Sequence, residues 1–136
     1  MVDKETTSIL VIEDDDDIRE AIVSVIDEIT SVKFEVEQCE CGDEGLKKVL
    51  QGSHDLILTD IKLPKVEGDQ IIFEARKSNI KTPIIVLSGY LGESDLRQKL
   101  DIEDVYLLEK PFESDTLVRS IGMLVERLMK ERASSV

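Results

Sequence analysis

Polar residues that could take part in chemistry follow four short apolar runs of the sequence. They are Glu13 and Asp14, Asp60, Ser88 with Gly89, and Glu109 with Lys110 and Pro111. Carboxylates brought together raise each other's pKa, and a hard divalent cation offsets this cost by taking their oxygens as ligands. A lysine provides positive charge for a phosphoryl group, and a serine hydroxyl can donate a hydrogen bond to it. The set therefore predicts a Mg²⁺-dependent phosphate site.

Each of these residues alone also fits an ordinary structural role. Acidic runs before helices are usually solvated caps, an Asp or Ser after a strand is usually a turn residue, and most lysines lie on the surface. Their combination is more informative, because ligands of open parallel α/β sheets bind beyond the carboxyl ends of the strands. No glycine-rich phosphate loop follows the first apolar run, so nothing favours nucleotide binding in the usual manner.

The elements that must position these residues alternate between short apolar runs and segments of helical period. This alternation predicts an α/β domain, a doubly wound parallel sheet with helices on both faces. We predict strands over residues 8–12, 34–41, 55–60, 83–87 and 104–108, each followed by a helix. The second strand has a mixed polar character, which predicts an edge position. The final helix is predicted over residues 114–132.

The domain boundaries follow from the first strand and the last helix. Residues 1–7 are expected to be a flexible segment, 8–132 the domain and 133–136 a tail. The predicted fourth helix, residues 91–100, has few apolar anchors, so we expect it to be loosely held. No linker rich in Gly, Ser or Pro occurs, which predicts a domain that stands alone without an attached output domain.

Composition argues against several classes of protein. Thirty acidic and 17 basic residues give a net charge of −13, which repels nucleic acid and anionic lipid. The apolar runs are far shorter than the roughly 20 residues that span a bilayer, and the first residues do not resemble a secretory signal. We therefore expect a cytoplasmic protein without direct nucleic-acid or membrane binding. Cys39 and Cys41 are expected to be reduced packing residues on a strand.

Four segments of the sequence carry a more specific signal. They read Ile-Leu-Val-Ile-Glu-Asp-Asp from residue 9, Asp-Leu-Ile-Leu-Thr-Asp-Ile-Lys-Leu-Pro from residue 55, Pro-Ile-Ile-Val-Leu-Ser-Gly from residue 83 and Leu-Glu-Lys-Pro-Phe from residue 108. In order and spacing they resemble the receiver domains of response regulators, over about residues 8–130. The resemblance implies a flavodoxin-like (βα)5 fold with strand order 2-1-3-4-5. It also implies a phosphoacceptor of a two-component phosphorelay.

Carried over residue by residue, the resemblance assigns the phosphoacceptor and the metal ligands. Asp60 would accept the phosphoryl group by in-line attack on a phosphohistidine of a histidine kinase or phosphotransfer protein. Asp14 would bind Mg²⁺ directly, together with Asp60 and the backbone carbonyl of Lys62. Glu13 would act mainly through bound water. Beyond its own phosphorylation and autodephosphorylation, no enzymatic activity is implied.

The remaining site residues are assigned to the phosphoryl group and to access. Ser88 would hydrogen-bond the phosphoryl group, and Lys110 would pair with it, positioned by a cis peptide to Pro111. Gly89 would leave a path for the donor and for the hydrolytic water. Tyr90, like Lys62, would look out over that path.

The residue expected to transmit the signal departs from the family pattern. The family usually has an aromatic switch residue three positions before the lysine, and here Leu107 occupies that position. Tyr106 lies one place earlier and should face the opposite way by strand alternation, unless a bulge restores it to the role. Either way, the surface of the predicted fourth helix, fifth strand and final helix would act on a separate target protein or form a homodimer.

Three other interpretations compete with this one. A haloacid-dehalogenase-type phosphohydrolase would need an acid two residues after the nucleophile, where this chain has Lys62. A pseudo-receiver, the same fold used as a binding module, would lack the acceptor, the acids or the lysine, all of which are present. His54, the only histidine, could suggest a phosphotransfer histidine, but its turn setting predicts an exposed surface residue.

Overall fold

A parallel sheet of five strands organises the computed structural model, which describes residues 6–89 and 103–134. The strands are β1 (Thr6–Ile12), β2 (Lys33–Cys39), β3 (Leu56–Asp60), β4 (Ile84–Ser88) and β5 (Val105–Glu109). The described helices are α1 (Asp16–Glu28), α2 (Gly42–Leu50), α3 (Gly68–Lys77) and the C-terminal helix (Ser114–Ser134). The strand order is β2-β1-β3-β4-β5, so the predicted fold class, strand order and edge position of β2 are confirmed.

Two apolar layers fill the space between the sheet and its helices. Alternate residues of β1, β3 and β4 point to opposite faces, so each of these strands contributes to both layers. One layer contains α1 and the C-terminal helix, and the other contains α2 and α3. Because strands covered on both faces need apolar residues at every position, the three central strands are visible in the sequence as continuous apolar runs.

Both ends of the described chain carry more regular structure than the sequence predicts. Thr6 and Thr7 pair with β2, and Thr7 is buried, so the predicted flexible segment of residues 1–7 was wrong at these two positions. The C-terminal helix continues to Ser134 instead of ending at residue 132, because neither Gly nor Pro stops it. Residues 1–5 and the predicted helix over residues 91–100 lie outside the described residues.

The loop after β3 is fastened to the beginning of α2. β2 ends at Cys39, and Cys41, expected on the strand, is instead the N-cap residue of α2. The next residue, Gly42, donates its backbone N–H to the Pro64 carbonyl at 3.0 Å. A Cβ atom at Gly42 would overlap the carbonyl oxygen of Val66. The β3–α3 loop therefore packs directly on the backbone of α2, and only glycine fits there.

We expect two glycine-to-alanine changes to have opposite effects on stability. Gly42→Ala should lower the free energy of unfolding by about 1–3 kcal/mol, because the added methyl group collides with backbone. Gly122→Ala, inside the C-terminal helix, should raise it by about 0.5–1 kcal/mol, because a Cβ there meets no described atom within 4 Å. Urea unfolding followed by circular dichroism measures both. A stabilised Gly42→Ala variant would contradict the close packing of the β3–α3 loop.

Candidate functional site

Three carboxylates meet beyond the carboxyl ends of β1 and β3. Glu13, Asp14 and Asp60 each offer an oxygen, and these oxygens all lie within 4.8 Å of one another. Glu13 is only 1% exposed, Asp60 is partly buried and Asp14 is exposed. The cluster thus runs from the protein interior to solvent. Its all-oxygen donor set is the kind that a hard divalent cation prefers.

Lys110 reaches this carboxylate cluster from the end of β5. Its Nζ donates hydrogen bonds to Glu13 Oε1 at 2.7 Å and to Asp60 Oδ2 at 2.8 Å. Its backbone N–H donates to the Ser88 carbonyl at 2.8 Å, and its peptide bond to Pro111 is cis. The structure therefore brings together the acids and the lysine that the sequence singles out.

The pKa values of Glu13 and Lys110 depend on each other and on the charge of Asp60. Burial raises the pKa of Glu13 to about 7, the negative charge of Asp60 adds to this, and the hydrogen bond from Lys110 opposes it. Burial alone would lower the pKa of Lys110, but its hydrogen bonds to Asp60 and Glu13 outweigh burial and raise it. Lys110 is therefore positively charged over the physiological pH range, whereas Glu13 loses its proton only near neutral pH.

Ser88 and Gly89 lie at the same edge of the sheet. The strand register pairs Asp60 with Leu87, so Ser88 is one residue beyond the neighbour of Asp60 on β4. Ser88 is the last residue of that strand and is buried. A Cβ atom at Gly89 would meet no described atom within 4 Å. Gly89 is thus exposed among the described residues, and the chain that follows it, residues 90–102, lies outside them.

The backbone around Asp60 holds its carboxylate in one orientation. The Ile61 N–H donates to Asp60 Oδ1 at 2.7 Å, which leaves Oδ2 for Lys110. The Gly68 N–H donates to the Ile61 carbonyl at 2.7 Å and closes the loop that carries Lys62. The Lys62 residue is exposed, and Tyr90 lies outside the described residues.

Tyr106 does not face the carboxylate cluster. β5 pairs with β4 residue for residue, so no bulge turns Tyr106 toward the position expected for the switch residue. Leu107 packs in the layer of α2 and α3, and Tyr106 packs on the opposite layer. The Tyr106 hydroxyl donates to Asp104 Oδ1 at 3.0 Å and accepts from Arg127 Nη1 at 2.9 Å. Tyr106 therefore joins β5 to the C-terminal helix.

His54 was wrongly predicted to be an exposed turn residue. Its side chain is 5% exposed, and Nε2 lies 2.8 Å from Glu37 Oε1 on β2. Lys48 on α2 donates to the other oxygen of that carboxylate at 2.6 Å. His54 precedes β3, so the length of this strand separates it from Asp60. It is a packing residue at the amino ends of the strands, opposite the carboxylate cluster.

Arg19 is a contact of the site that the sequence did not single out. From α1 it donates through Nη1 to the backbone carbonyl of Glu13 at 2.9 Å. The only local signal is its spacing, six residues after Glu13. This spacing places Arg19 in α1 close to the β1–α1 turn. It does not reveal the hydrogen-bond partners of Arg19 at β2.

Comparison with known proteins agrees with this geometry. The response regulator receiver domain family matches residues 9–122. Transcriptional regulatory protein DltR of Streptococcus agalactiae is 33% identical over 128 residues, which are 94% of this chain and 56% of DltR. Cell cycle response regulator CtrA of Brucella ovis is 34% identical over 128 residues, with coverages of 94% and 53%. The chain thus spans about half the length of the curated relatives it matches.

Solved structures agree with the sequence comparison. The receiver domain of a Francisella response regulator superposes with a TM-score of 0.78 at 27% identity, covering 90% of this chain and 98% of that chain. Because the family match covers most of the sequence, the chain belongs to the response regulator receiver domain family. The resemblance given by the four sequence motifs is confirmed, and the chain is a receiver domain of a two-component response regulator.

We expect Glu13→Gln to stabilise the protein in buffer that contains EDTA and no Mg²⁺. The Glu13 pKa is about 7 in the folded state against 4.5 for an ordinary glutamate. The wild type therefore loses stability as the pH rises between these values, whereas the amide does not. The gain in unfolding free energy should be small at about pH 5 and reach about 1–3 kcal/mol at about pH 8.

Urea unfolding at both pH values measures this gain. Glu28→Gln, which removes one exposed negative charge from α1, is the control and should not reproduce it. If Glu13→Gln were less stable than the wild type at the higher pH, the ion pair with Lys110 would outweigh the burial of the carboxylate.

We expect Tyr106→Phe to affect stability without affecting the carboxylate cluster. Loss of the hydroxyl removes the bonds to Asp104 and Arg127, which should lower the free energy of unfolding by about 1 kcal/mol. Phosphorylation of the variant by acetyl phosphate should proceed at the wild-type rate, because the hydroxyl bonds Asp104 and Arg127, and Asp104 precedes β5, at the end of the sheet opposite the cluster. A slower rate in mass spectrometric time courses would show that Tyr106 does communicate with the site.

Proposed function

We propose that the protein accepts a phosphoryl group on Asp60 from a phosphohistidine of a histidine kinase or phosphotransfer protein. The observation that carries this proposal is the juxtaposition of three carboxylates within 4.8 Å with the Lys110 ammonium, 2.8 Å from Asp60. Membership of the receiver family gives the reaction class. The proposed activity is limited to self-phosphorylation and autodephosphorylation.

The residues present fit a Mg²⁺ ion. Glu13, Asp14 and Asp60 would hold it, with the Lys62 carbonyl as a further ligand from the β3–α3 loop. Three acidic groups next to a single lysine leave net negative charge, which a divalent cation would balance. When bound, Mg²⁺ would supply positive charge for the oxygens of the transferring phosphoryl group.

The protein residues would perform the transfer mainly by positioning. The Ile61 N–H, 2.7 Å from Oδ1, fixes the plane of the Asp60 carboxylate. An Asp60 oxygen attacks phosphorus in line as the bond from phosphorus to the imidazole nitrogen breaks and its electron pair stays with the histidine. The product is an acyl phosphate. Lys110 would exchange its carboxylate partners for phosphoryl oxygens, and the Ser88 hydroxyl would donate to another.

A groove beside the site supports docking of the phosphodonor protein. It has a volume of about 590 Å³ and opens next to Lys110 and Pro111. Its walls are apolar residues of α1, among them Ile18 and Val25, and Phe112 from the other side. We assign this groove to the histidine kinase or phosphotransfer protein, since a donor bound there would be adjacent to the carboxylate cluster.

The output is proposed to pass through Ser88 and the chain that follows it. With Leu107 at the usual switch position and Tyr106 bonded to Arg127, an aromatic rotamer change has no support in this geometry. A Ser88 hydroxyl drawn toward the phosphoryl group would pull on the end of β4 instead. The target is proposed to be a separate protein or a second copy, bound at β5, the C-terminal helix and residues 91–100, which lie outside the described residues.

The competing interpretations have less support. A haloacid-dehalogenase-type phosphohydrolase needs an acid where the exposed Lys62 stands. A pseudo-receiver is disfavoured because the acceptor, the acids and the lysine are all present, with Lys110 bonded to Glu13 and Asp60. Within residues 6–89 and 103–134, no helix has the length and apolar character needed to cross a membrane. The cytoplasmic location and the lack of direct nucleic-acid binding stay predictions.

We expect Asp60→Asn to abolish labelling by acetyl phosphate and Mg²⁺. The amide is a far poorer nucleophile, while the side chain keeps its size, so the fold should survive. Intact-mass spectrometry should show a phosphoryl adduct on the wild type only, and the adduct should require Mg²⁺. Asp115→Asn, an exposed change in the first turn of the C-terminal helix, is the matched control and should be labelled normally. Full labelling of Asp60→Asn would contradict the proposed function.

A further inference from the structure

Arg19 makes four hydrogen bonds with one guanidinium group. Besides the Glu13 carbonyl, it donates to Asp16 Oδ1 at 2.6 Å, to Gln38 Oε1 at 3.2 Å and to Glu40 Oε1 at 3.3 Å. Its side chain is only 11% exposed. Arg19 therefore joins the first turn of α1, the end of β2 and the β1–α1 turn in one network.

This network completes a clamp on the backbone of Glu13. The Glu13 N–H donates to the Cys39 carbonyl at 3.0 Å, and its carbonyl accepts from Arg19 at 2.9 Å. Both main-chain polar groups of Glu13 are thus held from β2 and α1. The clamp holds the backbone from which the Glu13 side chain extends and which leads directly into Asp14.

We propose that Arg19 is a positioning residue for the cation, which keeps Glu13 and Asp14 within reach of Asp60 against their mutual repulsion. The inference rests on the proposed function, in which these carboxylates bind Mg²⁺. Lys110 cannot fill this role alone, because it would have to leave the carboxylates to pair with a phosphoryl group. Arg19 contacts backbone and acids outside the cluster, so its hydrogen bonds can persist throughout the reaction.

Positioning and simple charge make opposite predictions for the removal of Arg19. A nearby positive charge repels Mg²⁺, so if Arg19 acted only by its charge, Arg19→Gln would bind the ion more tightly and Arg19→Lys would bind it normally. If Arg19 acts by position, both variants should bind Mg²⁺ more weakly. An ammonium cannot reproduce the planar guanidinium that reaches the carbonyl and three side chains at once.

The test is an NMR titration of the ¹⁵N-labelled protein with MgCl₂, followed at the amides of Asp14 and Ile61. We expect the dissociation constant to rise about tenfold in Arg19→Lys and in Arg19→Gln. Arg76→Lys is the matched control, because Arg76 binds the carbonyls of Ile80, Glu103 and Asp104 at the other end of the sheet. It should lower stability and leave Mg²⁺ affinity unchanged.

A second readout uses the protein without metal. Amide hydrogen exchange at Glu13, whose N–H bonds Cys39, should be faster in the Arg19 variants than in the wild type at equal global stability. If the Arg19 variants fail to fold, Gln38→Ala removes one anchor of the guanidinium and should weaken Mg²⁺ binding in the same direction by less.

The outcomes separate this inference from the proposed function. Wild-type Mg²⁺ binding with unchanged affinity in both Arg19 variants, or tighter binding in Arg19→Gln, would overturn the positioning role alone. Equal losses in Arg19→Lys and Arg76→Lys would overturn it too, because the effect would then be general destabilisation. A wild type that binds no Mg²⁺ and takes up no phosphoryl group would overturn both proposals.

Discussion

The site depends on one balance of charge, between three carboxylates at the edge of a parallel sheet and a lysine that reaches them from β5. Parallel strands bring their carboxyl ends to one edge, so Glu13 and Asp60 meet there although their charges repel. Lys110 binds both at 2.7 and 2.8 Å and relieves part of this repulsion. Asp14 remains outside the lysine contacts. The excess negative charge is the basis of the proposed binding of a divalent cation.

The rest of the structure holds the charged residues by their backbones. Glu13 is bonded to Cys39 and Arg19, the loop after Asp60 is closed by Gly68, and Lys110 is bonded to Ser88. These bonds are independent of the side-chain contacts inside the cluster. In the proposed reaction, Lys110 would therefore change its partner from a carboxylate to a phosphoryl oxygen while the strands stay in place. The buried layers on both faces of the sheet make this frame rigid.

Local sequence patterns predict the buried strands and the residues at their carboxyl ends. The apolar runs before Asp60 and Glu13 mark buried strands, and parallel pairing brings their ends together without further information. Thr7 could not be predicted as a buried strand residue, because its polar side chain carries no apolar signal. His54 and Arg19 are buried by partners on β2, which lie 17 and 19 residues away in the chain. No local periodicity encodes such contacts.

The C-terminal helix runs the full length of the sheet, beginning just after the Lys110–Pro111 peptide and ending at the opposite edge. There Arg132 pairs with Asp55 at 2.6 Å, and Asp55 in turn accepts from the backbone N–H of Ser8. The last turn of this helix is therefore bonded to the chain at the amino ends of the strands, away from the carboxylate cluster. An affinity handle, a fluorophore or a surface linkage attached after this helix would therefore lie at the end of the sheet opposite the carboxylate cluster.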